Sequence, residues 1–483
     1  MTLYAIFLTS PSFRNVLYIA GFGLFIYGLS GLTRPGTAVR GNRLAALGML
    51  VVVAATLLRP QVDNWTLILV GVAAGAAIGI PAARAVKMTQ MPQMVAIFNG
   101  VGGGAVALIA WADFRSSAGY AHDPTYVAIF STGAAIIGSV SFWGSGVAFG
   151  KLQGLIPGRP LTLGRIQTIV NGLLAAAAIG CAAAVVSGNH SELLMVTLLV
   201  DAAILGILVV LPIGGADMPV VISLLNAFTG LSAAATGVAL NNPALIVAGM
   251  LVGASGTLLT QQMAAAMNRS VRSIVAGGFG GSSDIPAGSS ATTASVRSTS
   301  AADVAIQLAY AQQVVIVPGY GLAVSQAQYA LRDMTKLVQS AGVTVRYAVH
   351  PVAGRMPGHM NVLLAEAEVP YELLTEMDDI NPEFSRTDVA LVIGANDVVN
   401  PDARTNPQSP LYGMPILEVD QAHSIIVLKR SMRPGYAGVE NPLFTNPKTA
   451  MLFGDAKASI LEITDELKAL AGGGAPAAAH TRA

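Results

Sequence analysis

Nine long apolar segments in the first 275 residues constrain the fold of this chain more than any other feature. They cover roughly residues 15–33, 44–59, 65–83, 93–112, 125–149, 162–187, 191–212, 218–240 and 243–267. Each is long enough, or nearly so, to cross a bilayer core as a helix. We therefore predict a polytopic α-helical membrane domain of about nine transmembrane helices over residues 1–275.

Charged residues separate the chain into two parts. Only 11% of all residues are charged, whereas about one quarter is typical of soluble domains. Residues 1–275 carry 13 Lys/Arg and six Asp/Glu, and residues 276–483 carry 14 Lys/Arg and 20 Asp/Glu. A mildly acidic soluble domain is thus expected after the membrane domain. No basic run indicates nucleic acid, and a single cysteine, Cys181, excludes an intrachain disulfide and a cysteine metal cluster.

The loops between the apolar segments alternate in charge. Even-numbered loops hold only Arg59 and Arg115 as basic residues. Odd-numbered loops hold the others, namely Arg34, Arg40, Arg43, Arg84, Lys87, Lys151, Arg159, Arg165, Arg269 and Arg272. Because basic loops face the cytoplasm, we expect the N-terminus outside and the residues from 268 onward in the cytoplasm.

Five polar residues within or beside the apolar segments are candidates for a function. Asn99, Ser145 and Asn226 fall in the fourth, fifth and eighth segments. Asp217 begins the eighth segment, and Asp201 lies near the middle of the seventh. A carboxylate at the bilayer centre costs about 2.5–3.5 kcal/mol, which makes Asp201 a functional candidate, with a protonated or paired structural residue as the alternative.

The remaining chain divides into a linker, a soluble domain and a tail. Residues 276–302 are rich in Gly, Ser, Thr and Ala, which predicts a flexible linker, and residues 472–483 predict a disordered tail. Between them, residues 303–471 alternate strands with helices, which predicts a Rossmann-like α/β domain with a doubly wound parallel sheet. The predicted strands are 314–317, 343–349, 389–393, 415–419, 425–428 and 450–453, and the predicted helices are 303–311, 322–341, 360–368 and 455–470.

A glycine turn follows the first predicted strand of this domain. Gly319, Gly321 and Ala323 form a G-x-G-x-A pattern between the strand and a helical stretch. Such a turn lets the backbone approach a pyrophosphate, and the helix N-terminus offers N–H groups to it. The bare motif is weak, because many helix entries carry glycines without binding a nucleotide.

The ends of the later strands indicate which dinucleotide would bind. In an NAD fold an acid ends the second strand, but here that strand ends in His350 and Pro351. Lys429, Arg430 and Ser431 follow the fifth strand and could hold a 2′-phosphate.

The irregular segment 431–447 predicts a lid over a ligand. Asp397, after the third strand, could be an N-cap, a ligand contact or a titrating switch.

Several longer motifs together resemble the beta subunit of proton-translocating NAD(P) transhydrogenase, the NADP(H)-binding subunit, over nearly the whole chain. They are MTQMPQMVAIFNG (88–100), GGADMPVVISLLNAFTG (214–230), GYGLAVSQAQYA (319–330), HPVAGRMPGHMNVLLAEA (350–367), VIGANDVVNP (392–401), KRSMRPGYAGVENPLF (429–444) and MLFGDAKAS (451–459). The resemblance implies hydride transfer from NADH to NADP⁺, coupled to proton movement from the outside to the inside of the cell.

The resemblance also implies which residues contact NADP(H). They are Gly319, Tyr320, Gly321, Ala323, Val352, Ala353, Gly354, Arg355, Met356, Pro357, Gly394, Ala395, Asn396, Asp397, Val398, Gly413, Met414, Lys429, Arg430, Ser431, Met432, Arg433, Pro434, Gly435, Tyr436, Asp455 and Ala456. Asp397 would lie near the nicotinamide and couple the state of the nucleotide to proton transfer. No metal is implied.

In the membrane domain the resemblance places Asn99, Ser145 and Asn226 on the proton path and Asp217 at the membrane edge. Some family members carry a histidine where this chain has Asn99, and in members with Asn at that position a histidine on a helix of the alpha subunit is thought to serve. That alpha subunit would bind NAD(H) and add membrane helices. A dimer of alpha-beta units in the inner cell membrane, in contact with its lipid, is the implied assembly.

A channel or transporter gated by a dinucleotide-sensing domain is the competing interpretation. It would also combine a membrane bundle with a Rossmann unit. It predicts a selectivity sequence such as TVGYG, which this chain lacks, and usually an acid after the second strand.

Overall fold

The computed structural model describes residues 10–33, 35–59, 62, 64–158, 160–164, 166–215, 217–267, 270–272, 274, 296–354, 358–409, 411–435 and 437–472. Most of the predicted linker 276–302 and of the tail lies outside these residues, as do the predicted site residues Arg355, Met356, Pro357 and Tyr436.

Within that part of the chain, nine helices are long and apolar enough to cross a membrane, which confirms the predicted fold class. They are α1 (Pro11–Ser30), α2 (Pro35–Leu57), α3 (Trp65–Ala85), α4 (Met91–Ser116), α5 (Thr125–Gln153), α6 (Ile166–Val186), α7 (Glu192–Val210), α8 (Met218–Ala239) and α9 (Pro243–Ala266). Apolar side chains that face lipid explain why so many large hydrophobic residues are exposed on this domain.

Helix α5 is the centre of the membrane bundle, since it packs against α4, α7 and α8. Small residues bring the helix backbones close together. A Cβ added to Gly206 of α7 would lie 2.5 Å from the carbonyl oxygen of Val140, and one added to Gly230 of α8 would lie 2.4 Å from the nitrogen of Gly253. Larger residues at these two glycines would therefore push α7 and α8 away from their neighbours.

Helix α3 stands apart from this bundle. None of its described residues is buried. Gly71, Gly75 and Gly79 have the four-residue spacing of packing interfaces, yet a Cβ added to any of them would meet no atom within 4 Å. Within the described residues, this glycine face has no neighbouring helix.

The soluble domain contains a parallel six-stranded sheet with the order β3-β2-β1-β4-β5-β6. The strands are β1 (Gln313–Pro318), β2 (Thr344–Val349), β3 (Leu374–Glu376), β4 (Val389–Ile393), β5 (Ser424–Lys429) and β6 (Thr449–Phe453), and the main helices are α10 (Ala301–Tyr310), α11 (Tyr320–Val324), α12 (Gln328–Ser340), α13 (His359–Glu366) and α14 (Ala456–Gly472). Apolar clusters cover both faces of the sheet, as the continuous hydrophobic strands predict. The strand order reverses between β1 and β4, where ligands bind in such folds.

One predicted strand is wrong, and one observed strand was not predicted. Residues 415–419 form no strand, because Pro415 lacks an N–H and the neighbouring groups bond to loops instead: Leu417 N donates to Val398 O at 2.9 Å and Glu418 N donates to Asn381 Oδ1 at 3.0 Å. The short edge strand β3 was not predicted.

The predicted helix 322–341 is in fact two helices, α11 and α12. Gln326 between them adopts a left-handed conformation with φ 50°. Ala327 N donates to Leu322 O at 3.2 Å, which closes the first helix in the manner common at helix C-termini.

The chain enters the soluble domain beside β6. Ser298 pairs in parallel with Met451. Met451 N donates to Arg297 O at 2.8 Å, and Thr299 N donates to Met451 O at 2.9 Å. Residues 296–299 thus extend the sheet at its β6 edge.

Candidate functional site

The glycine turn after β1 packs backbone to backbone against the turn after β4. Gly319 N donates to Ile393 O at 2.8 Å, and Gly321 N donates to Gly394 O at 2.9 Å. A Cβ added to Gly321 would lie 2.6 Å from the Cα of Gly394, whose φ of +66° also favours glycine. These glycines therefore bring the two turns together at the switch point of the sheet.

The predicted turn after β2 is organised by His350. This buried imidazole accepts a hydrogen bond at Nδ1 from Val352 N at 3.2 Å, so Nε2 carries the proton and donates to Pro415 O at 2.9 Å. Burial lowers the pKa of His350, and the bond to Pro415 opposes that effect. His350 is thus a neutral structural link between the loop of Val352 to Gly354 and the segment that follows Met414.

Described residues of the predicted lid segment 431–447, which is called the lid below, contact the turn after β4. Ala437 N donates to Asp397 Oδ2 at 3.0 Å, and Asn441 Nδ2 donates to Asn396 O at 3.0 Å. A Cβ added to Gly435 would lie only 2.3 Å from Asp397 Oδ1. The absence of a side chain at Gly435 therefore lets the lid approach the Asp397 carboxylate directly.

Lys429 stands at the end of β5, where the lid begins. Its Nζ donates to Arg433 O at 2.5 Å and lies 4.6 Å from the centre of the Phe444 ring. Burial lowers the pKa of Lys429, while the charge of Asp397 acts in the opposite direction. A partly desolvated ammonium group of this kind gains from an anionic ligand. Arg430, which follows it, is exposed.

The remaining predicted contacts surround the same edge of the sheet. Gly454 N donates to Lys429 O at 3.2 Å, which places the start of α14 beside the lid. Asp455 caps that helix, since its Oδ1 accepts from Lys457 N at 3.0 Å. Gly413 N donates to Ala403 O at 2.8 Å. Met414 belongs to a small apolar cluster that also touches Val398 and the lid.

The predicted proton-path residues Asn99 and Ser145 are in contact inside the membrane bundle. Asn99 Nδ2 of α4 donates to Ser145 Oγ of α5 at 2.9 Å, and both side chains are buried. The bond network then continues to two residues that sequence reasoning missed. Ser141 Oγ lies 3.4 Å from Asn99 Nδ2 and 2.5 Å from Thr229 Oγ1 of α8. Ser141 precedes Ser145 by one helical turn, and that spacing was the signal that could have identified it.

The structure does not bring all the predicted membrane residues together. Asn226 is half-buried on α8 and makes none of the hydrogen bonds of this network. Asp217 precedes the first turn of α8, but its carboxylate does not accept a hydrogen bond from the helix N–H groups there. Helix capping by that carboxylate is therefore not observed.

Comparison with known proteins agrees with the two-part architecture. The family model described as NAD(P) transhydrogenase beta subunit matches residues 14–466. The chain is similar to the NAD(P) transhydrogenase subunit beta of Rhodospirillum rubrum, at 47% identity over 454 residues, which cover 92% of this chain and 97% of the relative. The same protein from a named strain of that species matches to the same extent. The chain thus belongs to the NAD(P) transhydrogenase beta subunit family.

Proposed function

We propose that this chain binds NADP(H) at the carboxyl edge of its sheet, beneath the lid. It would exchange hydride with NAD(H) bound to the alpha subunit, and the exchange would drive proton translocation through the membrane domain. The nucleotide domain would lie on the cytoplasmic side of the inner cell membrane. The observation that carries the proposal is the lid segment folded onto Asp397 and anchored at Lys429, at the switch point of a doubly wound sheet.

The residues at this edge fit a dinucleotide with a 2′-phosphate. Lys429, Arg430 and Ser431 supply two cations and a hydroxyl at the end of β5. A ligand phosphate would replace Arg433 O as the acceptor for Lys429 Nζ. No acid stands at the end of β2, where NAD folds bind the ribose hydroxyls. His350 is found there instead, and its Nε2 is occupied by the bond to Pro415 O. When bound, the nicotinamide supplies the hydride chemistry.

The domain over residues 296–472 should therefore bind NADP(H) more tightly than NAD(H). Replacing both Lys429 and Arg430 with Ala should weaken NADP(H) binding, because each charge-assisted contact contributes about 1.5–3 kcal/mol. Calorimetry on the purified fragment measures this. The matched control replaces the exposed Lys336 and Arg386, which lie away from the site. Equal affinity of the unmodified domain for the two nucleotides would refute the assignment.

Coupling requires that nucleotide state and proton affinity influence each other reciprocally. Asp397 beneath the lid and Asp217 at the start of α8 are the carboxylates we assign to this linkage. Asp217→Asn and Asp397→Asn should lower proton uptake per hydride, or stall both activities, in vesicles that contain the alpha-beta complex. Asp217→Asn should leave NADP(H) binding unchanged.

The exposed Asp465 provides a control carboxylate, since its salt bridge with Lys468 lies on the surface of α14. Asp465→Asn should keep both the hydride rate and proton uptake per hydride. Normal coupling in both the Asp217 and Asp397 variants would show that these carboxylates do not link the two processes.

A further inference from the structure

Lys151 is a buried cation near the end of α5 that the proposed proton path does not use. Only 5% of its surface is exposed. Its Nζ donates to Ile213 O at 2.7 Å and also to Leu211 O. Both acceptors are carbonyl groups just beyond the end of α7. These two bonds compensate for the burial of the ammonium group and fix its position relative to the end of α7.

The carbonyl groups at a helix C-terminus lack N–H donors within the helix and carry partial negative charge. Lysine side chains are suited to bond them. Gln167 of α6 contributes in the same way, because its Nε2 donates to Leu208 O at 2.7 Å. The end of α7 is therefore held by polar side chains from two neighbouring helices.

The segment after α7 leads directly to Asp217. Ile213 is followed by Gly214 and Gly215, and Gly215 N donates to Gly158 O at 2.8 Å. Asp217 then stands four residues beyond the carbonyl that Lys151 holds. Two glycines in this short stretch give the backbone little stiffness of its own, so the external bonds determine where the stretch lies.

Lys151 also connects this stretch to the polar network of the bundle. It lies on the same helix as Ser145, six residues further along, which is about 9 Å of helix. Ser145 accepts the hydrogen bond of Asn99. One rigid helix thus contacts both the Asn99 network and the segment that carries Asp217.

We propose that Lys151 is a positioning residue: its ammonium group fixes residues 211–215 and thereby places Asp217 for coupling. This inference rests on the proposed role of Asp217. Loss of the ammonium group should release the segment while the helices of the bundle stay in place, since α5 keeps its packing against α4, α7 and α8.

The test uses the complete alpha-beta complex and two independent measurements. Lys151→Met removes the charge at similar volume, Lys151→Arg keeps a cation, and Lys87→Met removes an exposed lysine as control. The first measurement is proton uptake per hydride in vesicles, with Asp217→Asn as the reference. The second is the rate at which a soluble maleimide labels Gly214→Cys in a Cys181→Ser background, in lipid nanodiscs. Among the described residues, a Cβ at Gly214 would meet only Pro160, at 3.9 Å.

Lys151→Met should raise the labelling rate about tenfold, as expected when a charge-assisted hydrogen bond is lost, and should lower proton uptake per hydride. Lys151→Arg should recover part of both, and Lys87→Met should change neither. An unchanged labelling rate in Lys151→Met would overturn the inference. Faster labelling with normal coupling would also overturn it, provided that Asp217→Asn is uncoupled. Normal coupling in Asp217→Asn would instead overturn the role of Asp217, while the labelling result still decides whether Lys151 holds the segment.

Discussion

At the scale of single residues, Asp388 shows how one carboxylate organises the start of the sheet. Its Oδ2 accepts hydrogen bonds from Gln312 N at 2.8 Å and Gln313 N at 3.0 Å, just where β1 begins. The bond to Gln313 is the main reason why the pKa of Asp388 lies below its ordinary value, and His423 adds to the effect. The carboxylate therefore favours the folded state whenever it is ionised.

The stability of the soluble domain should accordingly depend on Asp388 in a defined pH window. A pKa that folding lowers gives stability that is present above the unfolded value, about 3.9, and is lost as pH falls through the folded value. Asp388→Ala should destabilise the fragment 296–472 at pH 7, and the difference from the unmodified fragment should shrink below about pH 4. Urea unfolding at several pH values measures this, with the exposed Asp379→Ala as control. A difference that stays constant down to pH 2 would contradict the prediction.

The glycines of the nucleotide domain show what sequence can predict at single positions. The pattern of Gly319 and Gly321 correctly predicted a turn after β1, because it follows a buried strand. It did not predict that these residues pack against Gly394, since the partner lies 73 residues beyond Gly321 in sequence. A glycine in the sequence can indicate that another part of the backbone approaches closely. Only the three-dimensional structure shows which atoms approach it.

At the scale of elements, regular segments were predicted and irregular ones were not. Strands such as β1 and β4 are continuous apolar runs, and their bounds were predicted almost to the residue. Residues 415–419 also contain apolar residues, namely Ile416, Leu417 and Val419. Their backbone groups nevertheless bond to separate loops. The three residues of β3 are too few to show a period. The irregular sequence of residues 431–447 led to the prediction of a lid, but it did not predict that this segment contacts Asp397.

The contact between the lid and Asp397 gives a prediction about this element. Gly435→Ala should push the lid away from Asp397, because the added Cβ would overlap the carboxylate. Overpacking of this kind costs about 1–3 kcal/mol, so NADP(H) should dissociate about tenfold faster or more. Stopped-flow fluorescence of NADPH release from the fragment 296–472 measures the rate.

Gly438→Ala is the matched control within the same lid. Gly438 has a left-handed φ of +71°, but a Cβ there would meet no atom within 4 Å. This variant tests backbone strain without the contact to Asp397. If both variants release NADPH equally fast, steric contact with Asp397 does not hold the lid.

At the scale of the whole molecule, hydropathy predicted the spans but not their arrangement. Length and apolar character suffice to identify a membrane helix. The central position of α5 and the separation of α3 depend on which small residues face each other, and this chain has small residues on most of its helices. Membership of a beta subunit family implies an alpha subunit, and the chain is one subunit of an oxidoreductase.

The purified chain should therefore bind NADP(H) without reducing it at the expense of NADH. It contains one dinucleotide-type sheet within its described residues, and hydride transfer needs a second nucleotide close to the first. Addition of the alpha subunit should start turnover, which is followed as NADP⁺ reduction by NADH. Turnover by a preparation that mass spectrometry shows to be free of other proteins would contradict this expectation.

The pairing of residues 296–299 with β6 has a mechanical consequence. Tension between the membrane domain and the sheet enters at Ser298, through the two backbone bonds that join Arg297 and Thr299 to Met451. Strand β6, which would carry this tension, pairs with β5. Gly454, directly after β6, donates its N–H to Lys429 O. A pull on residues 296–299 therefore acts on β6, the strand that pairs with β5, which ends at the lid anchor Lys429.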